Sequence, residues 1–161
     1  MGSAGRRPFP SVAGVRSPDA RRWPACVLAA LFLGYAVGKA AFAVQDRLGF
    51  PGGPPVSAAE SSAYFLDAAV AQWFAAASGV LGAGLVLLTV VPTGRRVPRP
   101  LMLGVLGAVL LAIGYGAGIM VVDGFAGIGV GWRWYHGVLG LVLLGLTAET
   151  VRTYAVRTRR A

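Results

Sequence analysis

The chain has one cysteine, one histidine, one lysine and no asparagine among its 161 residues. A single cysteine, Cys26, leaves no intrachain disulfide, no Cys-x-x-Cys redox pair and no thiolate zinc site. A single histidine, His136, excludes a haem held by two histidines of the same chain and a His-x-x-x-His metal site. No metal and no cofactor are therefore expected. Charge is scarce as well: 13% of residues are charged and 56% hydrophobic, with a mean hydropathy of +0.66. A soluble domain carries about 25% charged residues, so this chain lacks the material for a wetted surface. Its apolar content excludes a disordered chain, and its 24 glycines follow no three-residue period, which excludes a collagen-like repeat. The apolar residues come in long blocks between clustered charges, the distribution of a membrane protein.

What charge there is comes mostly from 14 arginines, and the formal balance is +9. A basic balance can mark a nucleic-acid binder. Here the arginines stand at the feet of apolar blocks, where they set topology, so no nucleic-acid partner is expected. Arginine outnumbering lysine, with three isoleucines and no asparagine, suggests a genome rich in G and C and hence a bacterial chain.

The fold expected is an all-α membrane protein with four transmembrane helices. Residues 1–22 hold five arginines and three prolines without an apolar face, and read as a flexible basic tail. Residues 23–151 make the transmembrane domain, with spans at about 24–45, 68–92, 101–122 and 132–151, and residues 152–161 form a second basic tail. The first apolar run, residues 23–45, is broken only by Lys39, and as a helix of roughly 34 Å it can cross a core of about 30 Å. Residues 48–56 (LGFPGGPPV) must be loop. Ser57 and Glu60 then form a Ser-x-x-Glu capping box, which predicts a helix start at Ala58. A helix continuing to Val91 would be roughly 51 Å long. Its first turns must therefore stand outside the bilayer, lie on its surface or break from the rest, and we expect them to project outside. Residues 91–100 are a turn, and residues 124–131 (GFAGIGVG) read as an interfacial loop. Between Arg133 and Glu149 lies only about 22 Å of helix, so either Glu149 sits inside the headgroup edge or the membrane thins there; the first is preferred, since Arg152 one turn on can pair with it.

Twelve of the 14 arginines fall on one side of this arrangement: five in the first tail, three in the 91–100 turn and four after residue 151. The positive-inside rule makes that side cytoplasmic, so both termini are expected inside, with the Pro/Gly-rich loop between helices 1 and 2 outside. The location expected is a bacterial inner membrane, crossed four times. A competing reading takes Ala41-Phe42-Ala43 as a signal-peptide cleavage site; Lys39 and the full spanning length argue against it.

Lys39 is the ionisable group set deepest in a span. A charge at mid-helix costs on the order of 2.5–3.5 kcal/mol and marks function by default. Lys39 nevertheless lies near the outer interface, where its stem can snorkel, and that is the reading preferred over a pair with Asp67 or Asp123. His136 follows Trp132, Trp134 and Tyr135, an interfacial aromatic group. Lys39, Asp46, Asp67, Gln72, Asp123 and His136 all emerge near one face and form a candidate outer vestibule, although loops gather polar residues in any case. The small-x-x-x-small pairs Gly34 and Gly38, Ala75 and Gly79, and Gly114 and Gly118 suit close helix packing.

Asp123-Gly124 with Gly127 lacks the arginine and the further aspartates of the CDP-alcohol phosphotransferase motif. The first span also lacks the embedded glutamate of small multidrug exporters. No catalytic residues are expected. The function expected is that of a small, non-catalytic polytopic membrane component, surrounded by the lipid bilayer and acting with a membrane-protein partner or as a homo-oligomer. The alternative is a small transporter or channel using Lys39 and the outer acidic residues, which needs a polar path through the midplane. A membrane enzyme ranks third.

Overall fold

The computed structural model describes residues 22–159; residues 1–21 of the expected first tail, and residues 160–161, lie outside that range. Its helices are α1 (Trp23–Ala43), α2 (Ala58–Ser62), α3 (Ala68–Leu88), α4 (Arg99–Ala126) and α5 (Trp134–Arg157), with a short 3-10 turn at Pro92–Arg96. There is no strand among the described residues. Four of the helices, α1, α3, α4 and α5, are long and apolar enough to cross a membrane.

Local chemistry sets the helix ends. Pro24 sits in the first turn of α1 and Pro100 in that of α4, where a missing N–H costs nothing. Gly127 closes α4 in the left-handed region at φ 67°, its N–H donating to the Asp123 carbonyl at 2.8 Å. The last turn of α4 therefore absorbs Gly124 and Ala126, which the sequence assigns to loop, and carries Asp123 into the helix.

The capping box at Ser57 forms as expected: Glu60 N–H donates to Ser57 Oγ at 3.2 Å and Ser57 N–H to Glu60 Oε2 at 2.8 Å. The helix it starts does not run on into the span. It ends at Ser62, whose hydroxyl bonds back to the Ala59 carbonyl at 3.0 Å. Asp67 then caps a new helix by accepting from Val70 N–H at 3.1 Å. Of the three options for the overlong helix, breakage is realised, because serines and an aspartate bond locally to backbone and favour helix ends over interiors.

The helices run up and down as two hairpins, α1 with α3 and α4 with α5. They define an arginine end, where α1 begins, and a loop end, where α1 meets residues 44–57. The hairpins join near the arginine end, where Ala25, Leu28 and Ala29 of α1 cluster with Ala83 and Val86 of α3 and Leu146 of α5. Met102 and Leu106 of α4 pack on Tyr154 of α5, with Leu88 of α3 against them.

What is inside is small and what is outside is large. Alanine dominates the buried apolar set, whereas Val37, Leu81, Leu111 and Tyr115 are each at least two-thirds exposed. In water this would be costly; against lipid tails it is the expected distribution, because backbones must approach where no hydrophobic effect drives association. A Cβ added at Gly79 would lie 3.0 Å from the Phe32 carbonyl, and one at Gly140 2.7 Å from the Ala117 carbonyl. Of the small-residue pairs, Gly79 and Gly38 serve as contacts, whereas Gly34, Gly114 and Gly118 face open space.

Candidate functional site at the loop end

The connection from α1 to α2 folds back over the end of its own hairpin. Gly49, at φ 114°, turns its carbonyl inward. Lys39 Nζ donates to that oxygen at 2.9 Å, and Gln72 Nε2 donates to it at 3.0 Å and to the Arg47 carbonyl at 3.1 Å. Two helices thus grip one loop carbonyl. Phe50 stacks on Tyr35 with ring centres 5.8 Å apart, over the space left by Gly38. Asp46 Oδ1 accepts from Ala69 N–H at 3.2 Å and so ties the exit of α1 to the start of α3. Lys39 is thus half-buried and held by the loop, 5.5 Å from the Tyr35 ring centre.

The second hairpin closes differently. Asp123 is 2% exposed, and its Oδ2 accepts from Gly131 N–H at 2.9 Å and Trp132 N–H at 3.0 Å. A Cβ at Gly129 would fall 2.8 Å from its carboxyl carbon, so the loop lies directly against it there. His136 Nδ1 accepts from Arg133 N–H at 3.2 Å, which supplies a first-turn partner at the start of α5. The imidazole lies edge-on to Trp132 at 4.7 Å and 4.2 Å from the Tyr135 ring centre.

The six residues of the candidate vestibule therefore lie in two groups at the same end. Lys39, Asp46, Asp67 and Gln72 serve the first hairpin; Asp123 and His136 serve the second. The loops approach each other where Gly53 meets the indole of Trp132. Between α1, α3 and the folded-back loop lies a pocket of about 440 Å³, lined by Tyr35, Lys39, Gln72, Glu60 and Tyr64 among others. Three of these, Tyr35, Glu60 and Tyr64, were not among the expected site residues. Tyr35 stands four residues before Lys39, a spacing that places both on one helix face. Tyr64 follows Glu60 by the same interval, but across the end of α2, where that spacing carries no signal.

The pocket has no continuation toward the arginine end, because the seam between α1 and α3 is closed by Ala36 against Gly79 and by Phe32 against Gly82. No cluster of His, Cys, Asp or Glu suited to a metal ion occurs among the described residues. Comparison with known proteins finds no matching family model, no matching curated sequence and no matching solved structure.

Proposed function

We propose that the chain is a four-span protein of a bacterial inner membrane, with both termini cytoplasmic, acting as a non-catalytic membrane component. The observation that carries this is the state of the polar side chains along the spans. Ser78 donates to the Ala75 carbonyl, Thr89 to Val86, Thr147 to Leu143 and Thr150 to Leu146, each within its own helix. Hydroxyls bonded back to their own helix have spent their one donor there. Tyr115, near the middle of α4, is 77% exposed on its outer surface. A transporter needs polar groups facing a shared cavity near the midplane; here they are dispersed, and the polar pocket is blind and lies at one end. The arginine distribution supports the orientation, with Arg96, Arg99 and Arg157 at one end of the bundle.

Two measurements test the reading. Topology reporters at residue 97 and the C-terminus should read cytoplasmic and one at residue 54 external; a cytoplasmic signal at residue 54 sinks the orientation. Protein reconstituted in sealed vesicles should pass protons and sodium no faster than protein-free vesicles. A saturable flux abolished by Lys39→Met would establish the transporter reading instead.

A further inference from the structure

The two connections at the loop end differ in what they show to their surroundings. The first, residues 44–67, exposes Asp46, Arg47, Glu60 and Asp67, groups that water solvates. The second turns polarity inside out. Asp123, the acidic group at the end of α4, is buried and holds the amides of Gly131 and Trp132. Residues 124–131 (GFAGIGVG), which follow it, carry no polar side chain, and Ile128 and Val130 are 68% and 64% exposed. A connection in water is built of polar and turn-forming residues. This one has its charge inside and its hydrophobes outside.

Two further observations set the depth at which such a loop is stable. The N–H groups of Ile128, Gly129 and Val130 have no partner among the described residues, so the loop cannot lie in the hydrocarbon, where each unpaired group is costly. It needs water for its backbone and an apolar medium for its side chains, and the boundary between headgroups and acyl chains supplies both. The apolar part of α5 is also short. Between Arg133 and Glu149 lies about 22 Å of helix, against a hydrocarbon core of about 30 Å. At the arginine end Glu149 is paired with Arg152 at 2.7 Å, an exposed pair that belongs among headgroups. With that end held, the shortfall draws the start of α5, and the loop joined to it, into the opposite leaflet. Trp134 and Tyr135 stand exposed at that start, as interfacial aromatic residues do.

We infer that residues 124–131 form a lipid-inserted loop, with Ile128 and Val130 entering the acyl boundary of the leaflet at the loop end. Arg133, exposed and in no ion pair among the described residues, then lies at the lipid phosphates. The partner is the lipid itself, and the loop anchors the second hairpin while the first connection stands in water. A protein seated on the loop would cover Ile128 and Val130 but leave the short span of α5 unexplained. The inference rests on the membrane reading above, under which α4 and α5 cross the bilayer, and adds the depth of their connection.

The test is the collisional accessibility of nitroxide spin labels on the full chain in vesicles of ethanolamine and glycerol phospholipids. Cys26, the free cysteine, is first removed by Cys26→Ser. Single labelling sites are then made by Pro55→Cys in the first connection, Leu111→Cys on the exposed face of α4, and Ile128→Cys and Val130→Cys in the loop. Each label is challenged with oxygen, which concentrates in lipid, and with a water-soluble nickel chelate. Labels at 128 and 130 should meet the chelate at least about tenfold less often than the label at 55. Their ratio of oxygen to chelate collisions should fall between those of 55 and 111. Chelate access at 128 and 130 equal to that at 55 puts the loop in water and overturns the proposal, with 111 still in lipid. Shielding of 128 and 130 from both reagents means that protein covers the loop, and overturns it too. A label at 111 that reads as aqueous overturns the membrane reading and the proposal with it. The two loop positions are read independently, so either decides if the other variant does not fold.

Discussion

The two hairpins face the same problem at the loop end, and they solve it with opposite polar economies. Each must turn a chain at the edge of an apolar layer, where backbone groups left without partners are costly. The second hairpin does it with one buried carboxylate that accepts from two successive amides, with Gly129 packed directly against it. The first does it with two long side chains, Lys39 and Gln72, that converge on one carbonyl and leave surplus N–H groups, an orphan oxygen and a pocket. A short acidic group meets two loop amides through a single oxygen. Long donors satisfy the loop and have capacity left over, with Lys39 lining the pocket beside it.

The sharpest way to break this contrast is to remove the central group of each hairpin. Asp123→Ala strands the amides of Gly131 and Trp132, and a hydrogen bond to a charged group is worth about 1.5–3 kcal/mol. A loss of about 3 kcal/mol or more is expected in the thermal unfolding of the purified protein, with Asp123→Asn recovering part of it. Gln72→Leu removes the orphan oxygen along with two donors and leaves Gly49 held by Lys39, so about 1 kcal/mol is expected. If the two variants cost the same, the distinction between a closure held by one buried carboxylate and one shared by two long donors fails.

Packing offers a second comparison, between glycines in the seams and glycines on the surface. Gly140→Val places a branched side chain against the Ala117 backbone, and overpacking of this kind costs about 1–3 kcal/mol. Gly114→Ala and Gly118→Ala meet nothing within 4 Å and should be neutral or stabilising by about 0.5–1 kcal/mol. Unfolding midpoints that do not separate these two classes would contradict the helix pairing.

Four long apolar helices were legible in the sequence because a helix able to cross lipid needs a particular length and composition. So was the Ser57 capping box, whose partners lie three residues apart. Interactions closed across a loop were not legible. Asp123 meets amides eight and nine residues on, and Gln72 meets carbonyls 23 and 25 residues back. Nothing in a list of residues says that a polar group near an interface will turn toward a loop and not toward water. The break at residues 63–67 was equally hidden: the apolar pattern allows helix on both sides, and the decision lies with local bonds from Ser62 and Asp67.

Lys39→Met sharpens the comparison from the other side. Gly49 keeps its bond from Gln72, and the span loses a charge, so stability should change by less than about 1 kcal/mol in either direction. A loss as large as that of Asp123→Ala would make Lys39 a structural pillar like Asp123 and would remove the surplus on which the pocket depends.

The smallest effect belongs to Glu60, which is exposed in α2 and helps line the same pocket. Its carboxyl is held below the usual range, first by the Ser57 hydroxyl and then by the Ser57 amide. A depressed folded value means that the cap's contribution is complete above the unfolded carboxylate value of about 4.3 and is lost as pH falls through the lower, folded value. The Ser57 and Glu60 amide resonances of the protein in micelles should therefore hold steady from neutral pH down to about 4.3 and shift only below it. The amides over Asp123 belong to a separate closure and should not follow this titration. Movement of the Ser57 and Glu60 amides already well above that range would mean that the carboxylate is not held by the cap.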